Sequence, residues 1–326
     1  MFVLIAILAA VVPTIIYTLL IWWLDRYEKE PLPLLVAAFL WGSLPAVVLA
    51  VIVMFVLDAP IFNSSLGPGF QTWGLAPLVE EGLKAVALVA LFLFARREFD
   101  GPLDGIVYGS LIGFGFSMTE NLLFFVAYPD NFGGLFWLRS VFFGFNHAFF
   151  TSIVGLALGA VRYAPQRWLG YVALPLALLL AVFMHGLHNY AVNYQLAGIA
   201  FSWIVQSSGV AAVLAVAVLA WRHERSWMVQ ELDEEIAMGI ISAADYAEVI
   251  SAPHRAHVLF QTLLSGNLTR YQQVVRFYHL ITELAFCKYQ LRVGDRFQHH
   301  AERDRLREEI IMLRAALTRA EEALGL

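Results

Sequence analysis

Long apolar stretches separated by short polar segments cover the first two thirds of the chain. An apolar window of about 20 residues is long enough to cross a bilayer as a helix. By this measure the sequence predicts seven membrane-spanning helices. Their ranges are 2–24, 34–57, 74–95, 105–127, 135–161, 169–192 and 198–221. The sixth and seventh run together without a charged residue, and their combined length places a turn within 193–198.

The pattern changes near residue 222, where charged side chains become frequent. Residues 222–326 hold 13 of the 21 Lys and Arg residues and 15 of the 26 Asp and Glu residues. We therefore predict an all-α fold, a polytopic membrane helix bundle over 1–221 followed by a cytoplasmic helical domain over 222–326. Apolar positions from Leu306 to Leu324 follow a 4-3 spacing. This spacing predicts either self-association through a coiled coil or a helix docked on residues 255–293.

Basic residues predict how the bundle is oriented. They flank one set of span ends, while the loops near 58–73, 128–134 and 193–197 contain no Lys or Arg. The positive-inside rule then places the N-terminus outside and the C-terminus in the cytoplasm of a cell membrane. Arg139 is the exception to this pattern. The formal net charge of −5 gives no reason to expect nucleic acid as a partner.

Ionisable side chains within apolar spans are the candidate chemistry. Such groups are costly in a bilayer and usually face a bundle interior, where they mark a functional site. Four spans carry them in this chain. The candidates are Glu80, Glu81 and Lys84 in the third span, Glu120 in the fourth, His147 in the fifth, and His185 and Asn189 in the sixth.

These residue types suit two kinds of hydrolysis. Carboxylates and histidines can bind zinc and activate water, and the candidate ligands are Glu81, Glu120, His147 and His185. A Glu and a His can also activate water without a metal, by acid–base catalysis. In either case an amide from Asn189 or Asn146 can donate to an oxyanion.

Three other interpretations stay open on the residues alone. Glu80 and Lys84, four residues apart on one helix face, can form a buried pair that only fixes helix register. Buried Glu, Lys and His can form the proton or ion relay of a transporter. A membrane scaffold whose tail recruits partners is the third, and it leaves the polar cluster unexplained.

The order of these motifs resembles that of PrsW-type intramembrane proteases, which are related to CAAX prenyl endopeptidases and bacteriocin-processing enzymes. The matching motifs are Glu80-Glu81-x-x-Lys84, Phe116-x-x-x-Glu120, His147 and His185-x-x-x-Asn189. The resemblance implies that Glu80 and Glu81 are essential glutamates and that His147 and His185 are the family's histidines. Asn189 replaces an Asp that is often found in this branch.

The same resemblance implies a substrate and a cofactor. It implies proteolysis of membrane-anchored proteins in the lipid bilayer, including an anti-sigma factor. The family is commonly called metalloprotease, which implies zinc, although a metal-free glutamate mechanism is also discussed. The sequence contains no His-Glu-x-x-His zinc motif.

Overall fold

The structure is a computed structural model that describes residues 1–24, 29–62, 67–96, 98–99, 101–162, 166, 168–294 and 300–324. All regular secondary structure in these ranges is helical, so the predicted all-α fold is confirmed. The described chain forms two compact units. The first comprises the N-terminal helix and Glu30–Ala220, and the second comprises Trp221–Leu326.

Ten helices begin in the first unit, and several are joined by π-helical turns. They are α1 (Phe2–Leu24), α2 (Leu32–Trp41), α3 (Val47–Phe62), α4 (Gly67–Phe70), α5 (Ala76–Phe94), α6 (Pro102–Ala127), α7 (Phe132–Leu135), α8 (Asn146–Val161), α9 (Trp168–Ala191) and α10 (Gln195–Ala237). The π-helical turns are Gly42–Ala46, Gln71–Leu75 and Phe136–Phe142. Pro45 lies inside the first of these turns, where its missing amide donor disturbs the regular helix.

Six described helical segments have the length and apolar composition to cross a membrane. They are Phe2–Leu24, Leu32–Leu57, Pro102–Ala127, Pro129–Val161, Trp168–Ala191 and Gln195–Ala237. Helix α5 coincides with the remaining predicted span, 74–95, and differs from the six because it carries three charged residues. The chain is therefore an integral membrane protein built as a polytopic helix bundle.

The structure corrects the prediction of one continuous helix over 135–161. The π-helical turn ends at Phe142, a short turn follows, and α8 begins at Asn146. Gly144 lies in this turn, where an added Cβ would meet the backbone oxygen of Ser140 at 2.5 Å. Only a residue without a side chain fits this sharp bend. Because the helix restarts at Asn146, His147 lies in the first turn of a new helix.

Helix α6 lies at the centre of the first unit and is buried over most of its length. It approaches α8 closely because small residues face each other. A Cβ on Gly105 would lie 2.0 Å from the backbone oxygen of Gly155, and one on Gly155 would lie 1.9 Å from that of Gly105. Small residues thus form the packing face between these two helices. Around this pair, large side chains such as Tyr108, Phe114 and Phe150 fill the core.

The second unit has its own apolar core. It contains the end of α10 and α11 (Ala243–Val249), α12 (Ala252–Leu264), α13 (Leu268–Val293) and α14 (His300–Leu324). Helix α11 begins with a capping box, in which Ser242 and Asp245 exchange hydrogen bonds between side chain and backbone. Leu306 and Ile310 are fully buried in the core with Phe277 and Leu284. The apolar stripe of α14 therefore docks on α13 within the chain.

Candidate active site

Helix α5 places a lysine against two glutamates inside the bundle. Glu81 and Lys84 are one turn apart, and their side chains are buried completely. The Nζ atom of Lys84 donates to Oε1 of Glu81 at 2.7 Å and lies 3.8 Å from Oε2 of Glu80. The close partner of Lys84 is thus Glu81, although Glu80 shares its helix face.

Lys84 continues this contact into α8. Its Nζ lies 2.9 Å from Nδ1 of His147. An ammonium has only protons to give, so Nδ1 accepts and Nε2 of the same ring carries the proton. That Nε2 lies 2.9 Å from Oε2 of Glu120, to which it donates. Glu81, Lys84, His147 and Glu120 therefore form one continuous chain of hydrogen bonds across three helices.

Arg139 completes this chain. Its guanidinium contacts Oε2 of Glu120 at 2.6 Å and donates to Oδ1 of Asn121 at 2.9 Å. It also lies 3.8 Å above the ring of Phe124. Sequence reasoning missed this role and treated Arg139 only as an exception to the loop charges. The available signal was that Glu120 has no basic residue in its own span and Arg139 has no acidic one.

His185 of α9 joins the cluster from the other side. Its Nδ1 lies 3.0 Å from Oε1 of Glu81, and its ring stacks on Phe150. Oε2 of Glu81 accepts from the hydroxyl of Thr151 at 3.2 Å. Both oxygens of Glu81 are thus hydrogen-bonded. Since Nδ1 of His185 donates to the carboxylate, its Nε2 presents a lone pair, which lies 3.9 Å from Oε2 of Glu80.

Glu80 differs from the other two carboxylates. Its Oε2 is buried and has no hydrogen-bond partner among the residues that the structure describes. Burial of an unpaired carboxylate oxygen is costly. No described residue of the bundle satisfies this acceptor, so a bound group can do so. A group that binds there gains two neighbours with defined chemistry, Nζ of Lys84 at 3.8 Å and Nε2 of His185 at 3.9 Å.

The structure brings six of the seven predicted residues into direct contact and leaves Asn189 beside them. Asn189 donates its side-chain amide to the backbone oxygen of Thr72 at 3.0 Å. A cavity of about 90 Å³ lies next to the hydrogen-bond chain, with Asn189 in its lining. The lining also includes Glu120, Arg139, Asn146, His147 and His185.

The donors also meet the basic requirements of a metal site. One ligand atom each from Glu80, Glu81, His147 and His185 lies within 4.8 Å of the others. Glu120, a predicted ligand, faces Arg139 instead, and Glu80 takes its place in this group. Carboxylate and imidazole are suitable zinc ligands. The group can therefore bind a metal, provided that Lys84 releases Glu81 and His147.

The chain is similar to known proteins over most of its first unit. A family model described as PrsW family intramembrane metalloprotease matches residues 30–229, which include every residue of the cluster. The chain is 32% identical over 166 residues to Protease PrsW of Geobacillus kaustophilus, covering 51% of this chain and 70% of that protein.

Two further relatives carry the same name. Protease PrsW of Clostridioides difficile is 26% identical over 184 residues, covering 56% of this chain and 77% of the relative. Protease PrsW of Bacillus subtilis is 26% identical over 192 residues, covering 55% and 82%. No solved structure matches the chain.

Proposed function

Because the chain belongs to the PrsW family of intramembrane metalloproteases, we propose that it cleaves membrane-anchored substrates with a water molecule held between Glu80 and His185. The chain is an intramembrane protease, and its substrates and its own helices share the lipid bilayer. The assignment of roles to individual residues is the proposal. A transporter has no comparable support from the relatives.

One observation carries the assignment. Within the described cluster, Oε2 of Glu80 is the buried carboxylate oxygen that lacks a hydrogen bond, and Nε2 of His185 lies 3.9 Å from it. A water molecule between the two can donate to both, since each presents a lone pair. Both oxygens of Glu81 and the Oε2 atom of Glu120 already accept from cationic and polar donors, so these two carboxylates suit the positioning of other groups.

The reaction then follows general acid–base catalysis. Glu80 takes a proton from the water as the water oxygen bonds to the carbonyl carbon of the scissile peptide. The carbonyl electron pair moves to its oxygen and forms a tetrahedral oxyanion. When this species collapses, the C–N bond breaks and protonated Glu80 returns the proton to the departing amine. The products are a carboxyl and an amino terminus, and Glu80 is regenerated.

The remaining charged residues hold this pair in place. Glu81 fixes Nδ1 of His185 as a proton donor and so keeps Nε2 of that ring as an acceptor. Lys84 neutralises Glu81, and Arg139 neutralises Glu120. Such preorganised charges cost no rearrangement during the reaction, which is the main source of electrostatic catalysis.

Zinc is a second, separable part of the proposal. The residues that would hold it are Glu80, Glu81, His147 and His185, because their ligand atoms converge and Oε2 of Glu80 lacks another partner in the described cluster. When bound, zinc lowers the pKa of a water molecule and polarises a carbonyl. The zinc proposal predicts about one zinc per purified chain, measured by mass spectrometry, and its loss in His185→Ala. Full activity after complete removal of zinc would overturn it.

The substrate we propose is a protein with a single membrane span, of which an anti-sigma factor is the type that the family suggests. Support comes from the depth of the cluster within apolar helices, where a span or its juxtamembrane end is the available peptide. Cleavage of a candidate is tested by reconstituting both proteins in one vesicle and mapping the new termini by mass spectrometry.

For the orientation, we propose an outside N-terminus and a cytoplasmic C-terminus. The loop charges support it, and Arg139 no longer opposes it because its charge is paired with Glu120 inside the bundle. A reporter fused after Leu326 should be active only in the cytoplasm. Activity on the other side of the membrane would overturn the orientation.

We further propose that residues 1–221 carry the chemistry and 222–326 serve regulation or assembly. The cluster lies entirely in the first unit, although α10 continues unbroken to Ala237. Self-association through α14 would have to use exposed residues such as Ile311 and Met312, since Leu306 and Ile310 are buried. Sedimentation of the purified protein measures this, and a monomer at all concentrations would exclude it.

The assignment is tested by cleavage of a membrane-anchored reporter in proteoliposomes. Glu80→Gln and Glu81→Gln should each abolish cleavage while the protein inserts and accumulates. Glu80→Gln is the more informative variant, because Oε2 makes no hydrogen bond within the described bundle that the amide would break. Parental cleavage by both variants would show that these carboxylates take no part in the reaction.

A further inference from the structure

Asn146 is the buried donor that the cluster does not use. Its side chain is 5% exposed, and its Nδ2 has no hydrogen-bond partner in the described part of the chain. A buried amide donor without a partner is destabilising, so a bundle has no structural reason to keep one. Asn146 opens α8 immediately after the turn at Gly144, one residue before His147.

The position of this donor relates it to the reaction. Asn146 lines the cavity of about 90 Å³ together with Glu120, Arg139, His147 and His185. The cavity has room for at least one water-sized group. Its lining includes both the amide of Asn146 and the imidazole of His185. The lining holds two other amides, and both are engaged. Asn189 donates to the backbone oxygen of Thr72 at 3.0 Å, and Asn121 donates to the hydroxyl of Ser117 at 3.4 Å.

Each cationic or imidazole residue of the hydrogen-bond chain already donates to an acceptor. The Nε2 proton of His147 goes to Glu120, and Lys84 donates to Glu81 and His147. Arg139 donates to Glu120 and Asn121. The negative charge that develops on the scissile carbonyl oxygen needs a donor that is already in place, and Asn146 presents one.

We propose that Asn146 is a catalytic residue whose Nδ2 donates a hydrogen bond to the scissile carbonyl oxygen and to the oxyanion formed from it. This role rests on the proposed function, because it requires peptide hydrolysis at the Glu80–His185 pair. The amide neither gains nor loses a covalent bond. It lowers the energy of the tetrahedral species in which the water oxygen is bonded to carbon.

The experiment compares Asn146→Ala and Asn146→Asp with the parent in reconstituted cleavage assays, measuring kcat, KM and the melting temperature. Removal of one oxyanion donor lowers kcat by about 10²–10³-fold. We expect that loss with KM within about threefold and an unchanged or raised melting temperature. Asn146→Asp keeps the size of the side chain and presents acceptors, so it should lose activity as completely as Asn146→Ala.

Ser152→Ala is the matched control on the same helix. Ser152 is equally buried, but its hydroxyl donates to the backbone oxygen of Phe149, so its loss should leave kcat near the parental value. Asn146→Ser restores a short donor and should recover part of kcat. If Asn146→Ala does not fold, Asn146→Ser and Asn146→Asp are compared with the parent instead. An unchanged kcat in Asn146→Ala or Asn146→Asp, a rise in KM alone, or an equal loss in Ser152→Ala would overturn the inference.

Glu80→Gln, assayed beside them, separates the two proposals. If Glu80→Gln is inactive and Asn146→Ala is active, the function stands and the role of Asn146 is wrong. If Glu80→Gln and Glu81→Gln cleave like the parent, the proposed function itself fails, whatever Asn146→Ala does.

Discussion

The two units each bury a charged cluster, and the two clusters differ in how completely they are hydrogen-bonded. In the second unit, Glu235 is fully buried and accepts from Lys288 at 2.7 Å and from Arg307 at 2.6 and 3.0 Å. Lys288 also donates to Glu234 and to the backbone oxygen of Glu231. All three of its protons are used, and both oxygens of Glu235 are paired.

The membrane unit contains the same kind of pair, because Lys84 and Glu81 also lie 2.7 Å apart. Beside them, however, Oε2 of Glu80 and Nδ2 of Asn146 have no partner in the described residues, and His147, His185 and His188 border a cavity. Buried charge by itself therefore does not identify a catalytic site. An unsatisfied acceptor and an unsatisfied donor beside titratable groups do, since such groups are costly unless a reactant uses them.

The largest effect is expected for Lys84→Met. It leaves Glu81 buried without its cation, which costs about 3–5 kcal/mol of unfolding free energy, and it releases His147. We expect both cleavage and the melting temperature to fall sharply. Lys288→Met is the matched change in the second unit, and it should lower stability while the folded protein still cleaves. Cleavage retained in Lys84→Met would contradict the comparison.

Gly113→Ala should have the next largest effect. A Cβ at this position would lie 2.3 Å from the backbone oxygen of His147, so α6 and α8 must separate next to the site. Overpacking of this kind costs about 1–3 kcal/mol, and we expect cleavage to fall with it. Gly82→Ala is the control, because Gly82 adjoins Glu81 but has nothing within 4 Å of an added Cβ. Equal losses in the two variants would mean that the close helix approach does not position His147.

Arg139→Gln should have a moderate effect. It removes the cation that pairs with Glu120 and the N–H group that donates to Oδ1 of Asn121. The unpaired carboxylate of Glu120 can then draw His147 away from Lys84. Loss of about one charge-assisted hydrogen bond corresponds to roughly a tenfold lower kcat. Arg276→Gln is the comparison in the second unit, where the pair with Glu309 is exposed and should contribute little. A parental kcat in Arg139→Gln would show that Arg139 does not contribute to the reaction.

Cys287 should give the smallest effect. Burial in the second unit raises the pKa of its thiol to about 11, so little thiolate exists near neutral pH. Iodoacetamide at pH 7.5 should label the folded protein slowly and leave cleavage unchanged. The unfolded chain, whose thiol returns to its ordinary pKa, should label quickly. Rapid labelling of the folded protein that also stops cleavage would contradict this expectation and give the thiol a role in cleavage.

Much of the fold is predictable because apolar length and charge are properties of short segments. The predicted span 2–24 matches α1 (Phe2–Leu24), and the predicted span 169–192 matches α9 (Trp168–Ala191). The break before Asn146 was missed, since an apolar aromatic run hides a turn at Gly144. The continuation of α10 past 221 was missed because a helix does not end where its environment changes from lipid to water.

The site was predictable in its residue types and less so in its partners. A charge in an apolar span needs a partner, so Glu81, Glu120 and His185 stand out from the sequence. Which partner each one meets depends on how helices rotate against each other, and no single-helix spacing contains that information. For this reason the sequence assigned Glu120 to a metal and left Arg139 out, whereas the structure pairs the two.

The most direct test measures cleavage and melting temperature for Glu80→Gln and Glu235→Gln side by side. We expect Glu80→Gln to melt like the parent and not to cleave, because Oε2 of Glu80 makes no hydrogen bond within the described structure. We expect Glu235→Gln to melt lower, because an amide then faces Lys288 and Arg307, and its folded fraction to cleave at the parental rate. Cleavage by Glu80→Gln, or a Glu235→Gln protein that is as stable as the parent but inactive, would show that Glu80 is not the catalytic base.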